Sequence, residues 1–270
     1  VILQHGFKGS AYDMRLLRNA ITMMFPDNTQ VYAAESNEKE SEVSIELMGQ
    51  RLAIEVHQYI KSREPKMLKD PARGRVSFIG HSVGGLIIRK ALESELLKPL
   101  LCKLHLYLSL ASPHLGTLYA DSQLVSTGMW ALFKLQKAPV LKELSLDDVR
   151  RDDMTKSLLY RLSENGMFMY FKWVVFASSP KDQYVPHYSA RVQVSTKAVA
   201  DARTGPAIVS MAANVMAQTD PSRLFRVSID NNTGIGGNLN NIIGRTAHIC
   251  YLDNPVVVEQ LVYSLAGFFQ

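Results

Sequence analysis

Thiols are scarce in this sequence: Cys102 and Cys250 are the only cysteines in 270 residues. A pair so far apart, in a chain long enough to build a large core, is no disulfide framework. Both read as buried free thiols in a reducing compartment. Long apolar runs are missing too. None reaches the roughly 18 residues that a membrane-spanning helix needs, the longest candidates being broken by Lys103, His105 and Lys134. Charge of one sign is barely in excess, 30 Lys and Arg against 25 Asp and Glu, and the surplus is scattered. That argues against nucleic acid as a partner and leaves at most peripheral contact with an anionic membrane. The G-x-G-x-x-G phosphate cradle is absent, and His and Cys residues lack ligand spacing, so neither cofactor nor metal is expected. The chain opens at Val1 with neither an initiator Met nor a secretory leader, and reads as a domain cut from a longer chain. The expected compartment is intracellular, cytoplasmic or peripheral to membranes.

What is present is an ordinary globular composition, 47% hydrophobic and 20% charged, with short apolar runs alternating with segments of helical period. That alternation predicts one α/β domain over 1–270, a mostly parallel central sheet with helices on both faces. Strands are expected at Val1–Gln4, Gln30–Ala34, Arg75–Ile79, Leu104–Leu110, Trp173–Ala177 and Leu224–Ile229. Helices are expected at Asp13–Phe25, Val43–Lys61, Leu86–Leu97 and Pro255–Phe269. In the second of these Ile45, Met48, Leu52, Val56 and Tyr59 recur at steps of three and four, marking one buried face. Between the fourth and fifth strands lies a long insertion, 113–170, with helical stretches at Ser122–Leu135 and Asp153–Leu162. It is too long for a plain connection and is a candidate cap. Asn231–Asn241 reads as a Gly/Asn-rich loop.

The sharpest local signal is Gly80-His81-Ser82-Val83-Gly84, which follows the strand RVSFI and precedes a helix. Reversing the chain that tightly strains the serine backbone, and Cβ atoms at the flanking positions would collide. Ser82 is thereby lifted clear of the sheet as a nucleophile. The plain alternative is a serine that only packs or binds an anion in a glycine-rich turn.

A serine hydroxyl needs a base within reach and a third group to orient that base. With the chain order serine, acid, histidine, His105, His114, His187 and His248 compete. His105 opens a core strand and His114 precedes any acid, so both are expected to be structural. Asp182, just past the fifth strand, is the orienting carboxylate. A base must come from a separate loop to face Ser82, which favours His248, ahead of the last helix, over His187. Two backbone amides are expected to hold the developing oxyanion: that of Val83, after the serine, and that of Phe7, in the loop after the first strand. His5 is expected to organise that loop and His81 to pack under the elbow.

HGF after the first strand, GHSVGG at the elbow, ASPHLGT after the next strand, DQYVPHYSA at the acid and GRTAHICYLDN at the histidine come in order. Together they resemble a lipase-like serine esterase domain of the α/β-hydrolases, once catalogued only as a domain of unknown function. The resemblance covers essentially the whole chain. It is strongest to the branch that forms the C-terminal domain of long eukaryotic proteins. It implies the triad Ser82, Asp182 and His248 with Phe7 and Val83 as oxyanion donors, and that Val1 begins at the third strand of the full fold.

The expected activity is hydrolysis of carboxylic esters through an acyl-enzyme, on a small-molecule ester or a lipid of acylglycerol type. Leu124, Val125, Trp130, Leu132, Phe133 and Leu135 form an apolar stripe suited to an acyl chain, or simply to packing on the sheet. An acyltransferase or thioesterase of the same fold, and an inactive interaction domain, are the competing readings.

Overall fold

Alternate residues of a strand face opposite ways, and this period of two divides the core of the molecule into halves. The computed structural model describes residues 1–27, 29–119, 138–150, 153–229 and 240–270, the side chains of 240–246 excepted. Its strands are β1 (Ile2–Gln4), β2 (Tyr32–Ala33), β3 (Val76–His81), β4 (Leu104–Leu110), β5 (Trp173–Ser178) and β6 (Leu224–Ser228). They form a 6-stranded sheet in the order β2-β1-β3-β4-β5-β6, every pair parallel. The order reverses direction after β2, so the crossovers to either side of β1 lie on opposite faces.

The helices are α1 (Arg15–Met24), α2 (Ile45–Arg63), α3 (Val83–Ala91), α4 (Pro139–Leu144) and α5 (Leu158–Glu164), then α6 (His187–Ala190), α7 (Thr196–Ala200), α8 (Gly205–Ala217), α9 (Asn240–Asp253) and α10 (Pro255–Ser264). On one face Leu3, Ile79, Leu108 and Val175 meet Leu17 and Ile21 of α1, Tyr251 of α9 and Val258 and Leu261 of α10. On the other face Ile2, Phe78, Tyr107 and Phe176 meet Leu52 and Val56 of α2, Leu86 of α3, Leu159 of α5 and Met211 of α8. β3 and β4 are buried along their whole length, the polar Ser77, His81, His105 and Ser109 included.

Several boundaries differ from the sequence reading, each for a local reason. The expected helix Leu86–Leu97 begins earlier, at Val83, and ends at Ala91. A 3-10 segment, Glu95–Lys103, follows and contains Pro99, whose missing N–H an α-helix would not tolerate. The stretch Asp153–Leu162 splits at Ser157, whose Oγ accepts the N–H of Tyr160 at 3.3 Å and caps α5. Helix α8 was not expected, because its sequence GPAIVSMAANVMA is apolar on nearly every side and shows little helical contrast. Cys250 is buried, but Cys102 is exposed, contrary to the expectation for both thiols. The predicted helix Ser122–Leu135, with its apolar stripe, and most of the Gly/Asn-rich loop lie outside the described residues. The flanks of the insertion do lie within them: Val140, Leu144, Leu158, Leu162 and Phe168 are part of the core on the α2 and α3 face. Among the described residues no helix is long and apolar enough to cross a membrane.

Candidate active site

The carboxyl ends of β1, β3 and β5 bring the sequence-selected residues to one edge of the sheet. β3 ends at His81, and Ser82 turns the chain directly into α3 with φ +54° and ψ −127°. A non-glycine residue held there stores roughly 1–3 kcal/mol of strain. The surroundings leave it no alternative. The Ser82 N–H donates to Leu110 O of β4 at 2.8 Å, continuing the parallel ladder. A Cβ on Gly80 would stand 2.4 Å from the Gly85 nitrogen, and one on Gly84 would stand 2.3 Å from Gln4 O. The elbow is therefore wedged between its own helix and β1, and both flanking positions are sterically closed to any side chain. The first amides of a helix have no acceptor within it and carry the positive end of its dipole. Val83 is the first residue of α3.

Gly6, at the end of β1, passes so close that a Cβ there would lie 2.8 Å from Ser82 Cβ and 3.5 Å from its Oγ. Phe7 is the next residue. The loop is organised by His5, as the sequence suggested: its ring nitrogen Nδ1 lies 3.0 Å from Gly6 O, so Nδ1–H donates. Burial lowers the pKa of this imidazole.

Asp182 lies in the turn after β5. Its side chain is wholly inaccessible to solvent, and one carboxylate oxygen accepts the N–H groups of Tyr184 and Val185 at 2.8 and 3.0 Å. The other oxygen lies 2.7 Å from Nδ1 of His248. A carboxylate only accepts, so Nδ1 carries the hydrogen and Nε2 is the nitrogen with a free lone pair. Asp182 and His248, far apart in sequence, thus form a buried pair.

The histidine is mounted differently from expectation. It stands on α9, a helix and not a loop, because Ala247, Cys250 and Tyr251 recur at steps of three and four and are all buried. Two contacts fix it that the sequence did not reveal. His81 Nε2 lies 2.8 Å from the main-chain oxygen of His248, so Nε2–H donates and ties α9 directly to the residue before Ser82. Burial, with the nearby His248 imidazole adding to it, depresses His81 to about 3, so it stays neutral and keeps this role across the ordinary pH range. The Tyr184 ring lies over His248 at 5.3 Å between centroids. The only sequence signal for the first contact was the position of His81 beside the serine.

The competing histidines are engaged elsewhere. His114 is fully buried, with Nε2 2.8 Å from Ser109 Oγ and Nδ1 3.3 Å from an Arg89 nitrogen. Burial, reinforced by the Arg89 charge, holds its pKa well below the usual value. His105 is buried at the start of β4 and lowered to about 4 for the same principal reason. His187 begins α6 and pairs through Nδ1 with Ser178 Oγ at 2.9 Å. A cavity of about 820 Å³ lies at the opposite end of the sheet, lined by Arg75, Val76 and His105, a strand length away from Ser82. Among the described residues no group of His, Cys, Asp and Glu could hold a metal ion.

The chain is similar to the mature lipase BlEst2 of Bacillus licheniformis, at 12% identity over 98% of this chain and 88% of that one, with a TM-score of 0.49. It is also similar to the lin2722 gene product of Listeria innocua, at 12% identity over 97% and 91%, TM-score 0.48. A third likeness is to a probable hydrolytic enzyme of Pseudomonas aeruginosa PAO1, at 14% identity over 100% and 84%, TM-score 0.47. The family model described as Putative serine esterase (DUF676) matches residues 1–197, a stretch that takes in Ser82 and Asp182 and stops before His248. The match covers most of the chain, which thus belongs to the putative serine esterase family (DUF676), and its sheet is that of an α/β-hydrolase.

Proposed function

We propose that the protein is a carboxylic ester hydrolase in which Ser82 is the nucleophile, His248 the general base and Asp182 the orienting acid. The observation that carries this reading is the 2.7 Å contact between His248 Nδ1 and a fully buried Asp182 carboxylate. It is supported by the bond from His81, which couples the helix bearing His248 to the elbow bearing Ser82.

In the first half-reaction Ser82 Oγ attacks the acyl carbon while His248 Nε2 takes its proton. The carbonyl oxygen becomes an oxyanion, and the amides of Phe7 and Val83 are the proposed donors to it, each worth roughly 3–4 kcal/mol in such sites. Collapse expels the alcohol, which leaves with the proton held by His248. In the second half-reaction water gives a proton to the same imidazole and attacks the acyl-enzyme, and collapse returns that proton to Ser82 Oγ as the acid is released. Asp182 keeps the imidazole in the tautomer that accepts at Nε2.

The proposed substrates are esters with substantial acyl chains, of lipid or acylglycerol type. Support comes from the insertion 113–170, proposed as a cap, whose sequence supplies Leu124, Val125, Trp130, Leu132 and Phe133. Hydrolysis of p-nitrophenyl esters from acetate to palmitate tests both levels of the proposal. Turnover rising with chain length, and lost in Ser82→Ala, is expected. A preference for acetate would overturn the lipid reading, and no turnover of any ester would overturn the hydrolase reading.

A further inference from the structure

The loop that carries Phe7 contains a conformational choice, and a residue from another loop makes it. Gly6 O accepts the N–H of Gly9 at 3.1 Å, closing a turn with Phe7 and Lys8 at its centre. Lys8 has φ +53°, whereas Phe7 is not among the residues of positive φ. This is the pattern of a type II turn, whose third position ordinarily holds glycine because an L side chain is strained there. A lysine suits the type I alternative better. The two differ by a flip of the central peptide, formed by the Phe7 carbonyl and the Lys8 N–H.

Ser41 opposes that flip. Its Oγ accepts the Lys8 N–H at 2.7 Å, and the residue is 3% exposed. An oxygen so close to the nitrogen leaves room for a hydrogen. It leaves none for a carbonyl oxygen, which stands about 1.2 Å out from its carbon; a flip would drive two oxygens into each other. Nor can Ser41 retreat easily, because the loop between β2 and α2 is rooted on α2. Glu55 accepts the N–H groups of Glu35 and Ser36 at 2.8 and 3.1 Å. The fully buried Asn37 donates from Nδ2 to Met48 O at 3.1 Å. The same loop holds the next stretch of the turn through Glu38, which accepts the Ala11 N–H at 2.7 Å.

We propose that Ser41 is a positioning residue for the reaction: by locking the Phe7–Lys8 peptide in its strained orientation it fixes the dipole that adjoins the Phe7 amide where the oxyanion forms. A flip would reverse the dipole of the peptide adjoining that amide, which weakens the stabilisation of negative charge. The proposal rests on the ester hydrolase reading above.

The test measures kcat and KM on a p-nitrophenyl ester for the wild type, Ser41→Ala and the double variant Ser41→Ala/Lys8→Gly, with melting temperatures alongside. Ser41→Ala is expected to lower kcat about tenfold with little change in KM. The double variant should recover most of that loss, because glycine adopts φ +53° without a steric penalty. A residue that merely stabilised the fold would lower the melting temperature, leave kcat of the folded fraction alone and gain nothing from Lys8→Gly. A kcat at the wild-type value in Ser41→Ala, or a double variant as slow as the single one, overturns the proposal. Should Ser41→Ala fail to fold, Ser41→Cys, a poorer acceptor of similar shape, must also be slower, and wild-type kcat there is equally fatal. A wild type that hydrolyses no ester sinks the hydrolase reading and this inference with it; an active wild type with an unaffected Ser41→Ala sinks this inference alone.

Discussion

Ser82 is held by close-packed backbone, its own strand and helix set against β1 and β4, whereas His248 is held by side-chain contacts from β3 and the turn after β5. At the elbow, backbone sterics decide. Gly80 and Gly84 admit no Cβ, the serine takes φ +54°, and the helix starts at the next residue. At the histidine, side-chain hydrogen bonds decide, and each partner comes from a remote part of the sequence. Damage at the elbow should therefore appear as lost stability as well as lost activity. Damage at the histidine arm should appear as lost activity in a protein that still folds.

The largest expected effect is on turnover. Ser82→Ala and His248→Ala should each cut ester hydrolysis by on the order of 10⁶, and Asp182→Asn by about 10⁴ through the wrong imidazole tautomer. Steady-state rates and circular dichroism check this together, and turnover well above background in either alanine variant would reassign the roles. Next comes Gly80→Ala, whose Cβ would meet the α3 backbone at 2.4 Å and should cost about 3 kcal/mol of stability. Denaturant titration reads this directly, and an unchanged midpoint would show that the elbow is less constrained than its geometry implies.

A smaller effect belongs to His81. Its replacement by phenylalanine removes the donor to His248 O, leaves that carbonyl less well satisfied and should lower kcat about tenfold, whereas Ser82 should keep its place. Equal loss of kcat and of stability would instead make His81 part of the elbow.

A separate effect is on acid stability. Burial lowers His81 from 6.5 to about 3, and His5, His105 and His114 are lowered for the same reason. Between those limits the unfolded chain binds more protons than the folded one. The stabilisation is therefore fully present above about pH 6.5 and is lost as pH falls toward about 3. Melting temperature should fall across this window, and less steeply in His81→Phe; parallel curves for the two proteins would remove His81 from the explanation.

The same contrast explains what could be read from sequence. The elbow was legible because its chemistry is written in adjacent residues, and the strand RVSFI announced its context. Asp182 and His248 were legible as positions, through chain order and the strand preceding the acid. The mount of His248 was not, since Gly244, Thr246 and the β-branched Ile242 and Ile243 obscure the helical period that buried Ala247, Cys250 and Tyr251 complete. The contacts from His81 and Ser41 were also out of reach. A hydrogen bond across the fold leaves no trace in spacing, and a positive φ at a lysine leaves none in composition.

The role of Ser82 is tested most directly by labelling the folded protein with a fluorophosphonate, followed by mass-spectrometric mapping of the modified peptide. One phosphonyl group is expected, on Ser82, acquired rapidly by the wild type and far more slowly by His248→Ala. No labelling, labelling at another residue, or an unchanged rate without His248 would contradict it.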